Sequence, residues 1–172
     1  MGYLTVFLLS LVSLAYEVLL PRIFSFTQWH HLSFMVISVV VFGFGASGSL
    51  IALAEGRGSA LLSANAPSHG QLGALGLLFS LSTAGSCLFL LGLPLDYFLL
   101  PLQVKQAGYL AGTYLVLVLP FFFAGAALSL SFALNPERSG WIYAAGMLGS
   151  ACGAVVPALL LPRLGEVRIV LG

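Results

Sequence analysis

Five stretches of this 172-residue chain stay apolar for the length needed to cross a lipid bilayer, and no other feature constrains its fold as tightly. A hydrocarbon core of roughly 30 Å takes about 20 helical residues to span. The stretches run from Tyr3 to Leu20, Leu32 to Ala54, Leu72 to Leu95, Gly108 to Leu134 and Trp141 to Leu161. Inside lipid, every backbone N–H and C=O has to be satisfied within the protein, so isolated spans of this length are helices. The expected fold is all-α: a polytopic integral membrane helical bundle of five transmembrane helices, forming one transmembrane domain over residues 1–172.

Composition closes the alternatives. Hydrophobic residues make up 60% of the chain and Asp, Glu, Lys and Arg only 6%, against about 25% charged residues in soluble domains. Six basic and five acidic side chains do not coat a water-exposed globule, which excludes a soluble enzyme and a disordered chain. A nucleic-acid binder needs a basic stripe, and a net charge of +1 leaves none to build. The expected partners are the lipid bilayer and other membrane subunits, with no nucleic acid. The first residues lack the basic start and small-residue cleavage site of a signal peptide, so they read as a retained first helix. Cys87 and Cys152 lie in apolar runs and read as small buried hydrophobes.

The connectors carry turn chemistry. Asn135 to Gly140 is polar and holds Pro136. Glu55 to Gln71, rich in Gly, Ser, Ala and Asn, reads as a loop outside the bilayer. Residues 93–102 are bracketed by Pro94 and Pro101 and are too few to span, so they read as an interfacial or re-entrant stretch holding Asp96. Pro120 falls inside the fourth segment and predicts a kink. The last residues, Leu161 to Gly172, read as the start of a sixth apolar run, which implies a fragment with a truncated sixth helix. Arg22, Lys105, Arg163 and Arg168 fall on one side of the bilayer and Arg57 and Arg138 on the other, which places the N-terminus outside.

Few polar groups lie at depth. Glu17 sits within the first segment, and at 100° per residue Ser10, Ser13 and Glu17 fall within about 60° of one another, with Tyr3 close by. A buried acid normally has a partner. Arg22, beyond Pro21, is the candidate, folding back near the interface. The seam then has two readings: a proton or substrate site, or a structural ion pair that pins the first helix. Gly43-Phe44-Gly45-Ala46-Ser47-Gly48 matches a dinucleotide fingerprint in letters, but it lies in an apolar run without the strand and the later acid that such a site requires. Gly43, Gly45 and Gly48 instead read as small residues at a close helix contact. Gly149 and Gly153, with Ala145 four residues before, show the same device in the fifth segment, and Gly108 and Gly112 in the fourth. His30 and His31 precede the second helix and His69 the third, about 30 Å apart across the bilayer, so they do not share a metal or a haem. No nucleophile–base pair and no cofactor motif appears, so no catalytic, cofactor or metal residue is assigned.

One resemblance reaches further. Leu14-Ala15-Tyr16-Glu17-Val18-Leu19-Leu20-Pro21-Arg22 resembles the opening helix of membrane-bound spermidine synthase-like proteins, with its Tyr-Glu pair and later arginine. The Gly-rich stretch Phe42 to Ser49, the run Trp141 to Ala154 and the ending Leu161-Pro162-Arg163-Leu164-Gly165 resemble later parts of the same membrane region. The resemblance implies a polytopic anchor normally followed by a soluble aminopropyltransferase domain using decarboxylated S-adenosylmethionine and a polyamine. These 172 residues hold no such domain and none of its acidic residues, so aminopropyl transfer is not assigned to them. The expected role is a non-catalytic anchor or scaffold in a bacterial inner (cytoplasmic) membrane, for a missing soluble domain or for partner subunits. The alternatives are a small accessory subunit of a larger membrane complex, and a transporter-like domain with its path along Ser10, Ser13 and Glu17.

Overall fold

A computed structural model describes residues 2–27, 33–56, 69–92 and 104–169. It contains five long helices: α1 (Gly2–Thr27), α2 (Ser33–Gly56), α3 (His69–Gly92), α4 (Val104–Leu134) and α5 (Ser139–Ile169). Each holds a span long and apolar enough to cross a membrane. The protein is thus an all-α integral membrane bundle. Residues 93–102, His30, His31 and most of the connector after Glu55 lie outside the described residues.

Several helices run on where the sequence pattern marks an end. α1 continues through Pro21 to Thr27, and α5 continues through Pro157 and Pro162 to Ile169. A proline removes one backbone bond, but neighbouring helices and local adjustments re-satisfy the freed carbonyl in a membrane helix. α4 begins at Val104 and carries Pro120, fully buried, in its interior. Between α4 and α5 the chain makes a single 3₁₀ turn, Pro136–Arg138, held by the Asn135 N–H on the Phe132 carbonyl (3.3 Å) and the Arg138 N–H on the Asn135 carbonyl (3.1 Å).

α4 is the centre of the bundle: 56% of its span is buried, against 17% for α3. It packs on α2 and α3, while α1 packs most extensively on α5 and less on α2 and α4. The register shows that helices alternate in direction. Gly149 lies against Phe7 and Gly153 against Leu11, both numbers rising together, so α1 and α5 are parallel. Gly43 against Phe121 and Ser47 against Gly125 make α2 and α4 parallel in the same way. The core has two parts. Tyr16, Leu20, Val36, Val39, Leu117 and Phe121 join α1, α2 and α4. Leu9, Leu72, Phe79, Ala124, Ala127 and Leu130 join α1, α3 and α4. Outward-facing Leu77, Leu81, Leu88 and Leu159 give the lipid-facing surface that such a bundle needs.

Candidate functional site

The polar groups of α1 divide between two neighbours. Ser10 and Ser13 are buried, and the Ser10 hydroxyl faces α5: a Cβ on Gly146 would stand 3.5 Å from its Oγ. The Ser13 Oγ is buried with no hydrogen-bond partner. Tyr3, which the same angular reckoning puts near this seam, is exposed at the helix start. Gly149 and Gly153 carry the contact below Gly146. A Cβ at either would overlap the backbone carbonyls of Phe7 or Leu11, so only glycine lets the two helices approach this closely.

Tyr16 points the other way, into the middle of the bundle. Its hydroxyl lies 2.7 Å from Ser86 Oγ on α3. Ser86 has one proton, and it is committed to the Thr83 carbonyl at 2.9 Å, so Tyr16 donates and Ser86 accepts. The Tyr16 ring stacks on Phe121 of α4 with centroids 5.6 Å apart, and Phe121 meets Phe44 of α2 at 6.1 Å. One side chain therefore touches two other helices, α3 and α4, and reaches a third, α2, through Phe121. Ser86 and Phe121 escaped the sequence reading because a serine or a phenylalanine in an apolar run looks like any other.

Glu17 is half-buried and Arg22 exposed. Because α1 does not stop at Pro21, a separation of five positions sets Arg22 about 140° around the helix from Glu17. The expected fold-back of Arg22 onto Glu17 does not form among the described residues.

The Gly-rich stretch of α2 divides as well. A Cβ on Gly43 would come within 2.7 Å of Phe121 Cβ and 3.1 Å of the Val118 carbonyl, so Gly43 is at a close helix contact. Gly45 and Gly48 are not: a Cβ on either meets nothing within 4 Å. At 100° per residue they point about 160° and 140° away from Gly43. The second small residue of this contact is Ser47, one turn on, which faces Gly125 of α4 and bonds back to the Phe44 carbonyl at 2.8 Å. Gly108 and Gly112 likewise meet nothing.

At the face where α1, α3 and α5 begin, a cavity of about 230 Å³ holds Asn135 and Arg138 beside Tyr3, Leu72 and Ser131. Among the described residues, no three His, Cys, Asp or Glu side chains gather as a metal site, and Cys87 and Cys152 are free thiols. The side chain of His69 lies outside the described residues.

Comparison with known proteins gives one partial similarity. A 49-residue stretch is 41% identical to the 3-(3-hydroxy-phenyl)propionate transporter of Escherichia coli (strain K12), covering 28% of this chain and 12% of that protein. The chain thus spans a small part of that transporter's length. No family model and no solved structure matches.

Proposed function

We propose that this chain is the membrane domain of a larger assembly, an anchor and scaffold in a bacterial inner membrane that carries a soluble domain or holds partner subunits. The observation behind this reading is that Ser10 and Ser13 of the α1 seam are buried, with Ser10 packed against Gly146 of α5. The Tyr16–Ser86 bond and the aromatic contacts fill the centre. The likeness of the Tyr16-Glu17 and Arg22 segment to the membrane region of spermidine synthase-like proteins supports the same role. Extraction in mild detergent followed by native mass determination tests it. The expected species is heavier than the 18.1 kDa of these residues; one of that mass with no companion sinks the anchor reading.

A second reading, a transporter-like domain, is favoured by the 49-residue similarity and by the cavity holding Arg138, a cation able to meet a carboxylate at the membrane face. Purified chain in proteoliposomes that accumulated labelled 3-(3-hydroxyphenyl)propionate would establish it. Glu17→Gln separates the two. Lost uptake with an intact fold supports transport, whereas lost assembly with its partners supports the scaffold.

A further inference from the structure

Two cavities meet at the face where α1, α3 and α5 begin, and neither belongs to the Ser10–Ser13 seam. The first is a chamber of about 230 Å³, and Tyr3, Asn135 and Arg138 bring three hydrogen-bond donors to its lining. Among the described residues none of these three side chains has a partner. Asn135 occupies the cap position of the 3₁₀ turn, where an Asn side chain ordinarily accepts from a backbone N–H. It makes no such bond, and its amide is left to the chamber. Arg138 makes no ion pair with its neighbour Glu137, so its charge is not compensated among the described residues.

The second cavity begins where the first ends, since Tyr3 and Arg138 line both. It is a groove of about 540 Å³ that follows α5 from Trp141 past Ala144 and Ala145 to Leu148. The two alanines make it a trough, because exposed Trp141 one turn before and exposed Leu148 one turn after stand out from the helix. Seven residues of helix rise about 10 Å, a third of the roughly 30 Å hydrocarbon core. Trp141 marks the headgroup level, where the amphipathic rings of membrane helices collect. The donors thus sit at headgroup depth, and the groove descends from them into hydrocarbon. Glu137 lines the groove and not the chamber, so no carboxylate stands among the donors.

We infer that chamber and groove form one binding site for a membrane phospholipid. Tyr3, Asn135 and Arg138 hold its phosphate, and one acyl chain lies along Trp141 to Leu148. A guanidinium matches phosphate oxygens with paired, charge-assisted bonds. A small soluble anion would use the donors and leave the groove empty, whereas a phospholipid fills both. The site stands whether the domain anchors or transports; in a transporter, a carboxylate solute competes with the lipid for Arg138.

Native mass spectrometry of the purified protein, titrated with phosphatidylglycerol and with diacylglycerol of the same acyl chains, tests it. One phosphatidylglycerol is expected to bind about tenfold or more tightly than diacylglycerol, the effect of a single charge-assisted hydrogen bond. Arg138→Gln is expected to lower phosphatidylglycerol affinity about tenfold and to leave diacylglycerol unchanged. Arg138 is exposed in the connector, and an unchanged thermal midpoint shows that the variant is folded. Ala144→Leu, which fills the trough, is expected to weaken both lipids alike. Equal affinity for the two lipids overturns the proposal, since the phosphate is then not recognised. Undiminished phosphatidylglycerol binding by either folded variant overturns it as well. So does displacement of the lipid by an equal concentration of inorganic phosphate, which would make this a site for a free anion. Should Arg138→Gln fail to fold, the comparison of the two lipids on the unaltered protein decides alone.

Discussion

Tyr16 shows what one polar side chain does in a medium without water. Its ring supplies stacking area against Phe121, and its hydroxyl supplies a bond that ties α1 to α3, two helices that otherwise touch little. Hydrogen bonds between membrane helices contribute about 0.6 kcal/mol on average and up to roughly 2. Tyr16→Phe is therefore expected to lower unfolding free energy in detergent by that order, with Ser86 keeping its bond to Thr83. A loss well above it would mean that the hydroxyl organises more than this pair. Ser13 is the contrasting case. Its Oγ is buried without a partner, so Ser13→Ala removes an unpaired polar atom and is expected to be neutral or slightly stabilising. The chemical difference between the two was not legible in the sequence, where both are hydroxyls in an apolar helix. Which of them meets a partner depends on a residue 70 positions away.

At the scale of elements, the bundle is organised by where helices come close. α1 against α5 and α2 against α4 are the two intimate pairs, and each is built on a glycine followed four residues later by another small residue. Gly149→Leu places a branched side chain into the carbonyl of Phe7, and overpacking of this kind costs roughly 1–3 kcal/mol or separates the helices. Gly45→Leu adds the same bulk where a Cβ meets nothing within 4 Å and is expected to change stability by less than about 0.5 kcal/mol. Thermal unfolding of the two variants in one detergent compares them directly; equal losses would contradict the contact assignment. Here the sequence was partly legible. The four-residue spacing of Gly149 and Gly153 marks a helix face, and that face is at the contact. The Gly-rich run of α2 looks like one motif, yet its glycines point to different sides of the helix. Only the 3.6-residue period, applied with the partner's position known, picks out Gly43 and Ser47.

For the whole molecule, alternation of direction puts the starts of α1, α3 and α5 on one face and the starts of α2 and α4 on the other. The charge pattern of the sequence, Arg22, Lys105, Arg163 and Arg168 against Arg57 and Arg138, predicts an N-terminus outside. Gly2→Cys in intact cells is then expected to react with a membrane-impermeant maleimide added from outside, while Lys105→Cys stays unmodified until the membrane is opened. The reverse pattern would give the opposite orientation, the one a cytosolic domain after a sixth helix requires. The span count, the all-helical class and the membrane as solvent were determined by the sequence alone. Bilayer thickness and the need to satisfy every backbone group leave a 20-residue apolar run only one structure. Pairing was decided only in the tertiary structure. In lipid all apolar faces are alike, so hydrophobicity does not rank one neighbour over another. The close approach of α1 to α5, the central place of α4 and the burial of Ser10 and Ser13 all follow from shape and from a few hydrogen bonds, which no single segment contains.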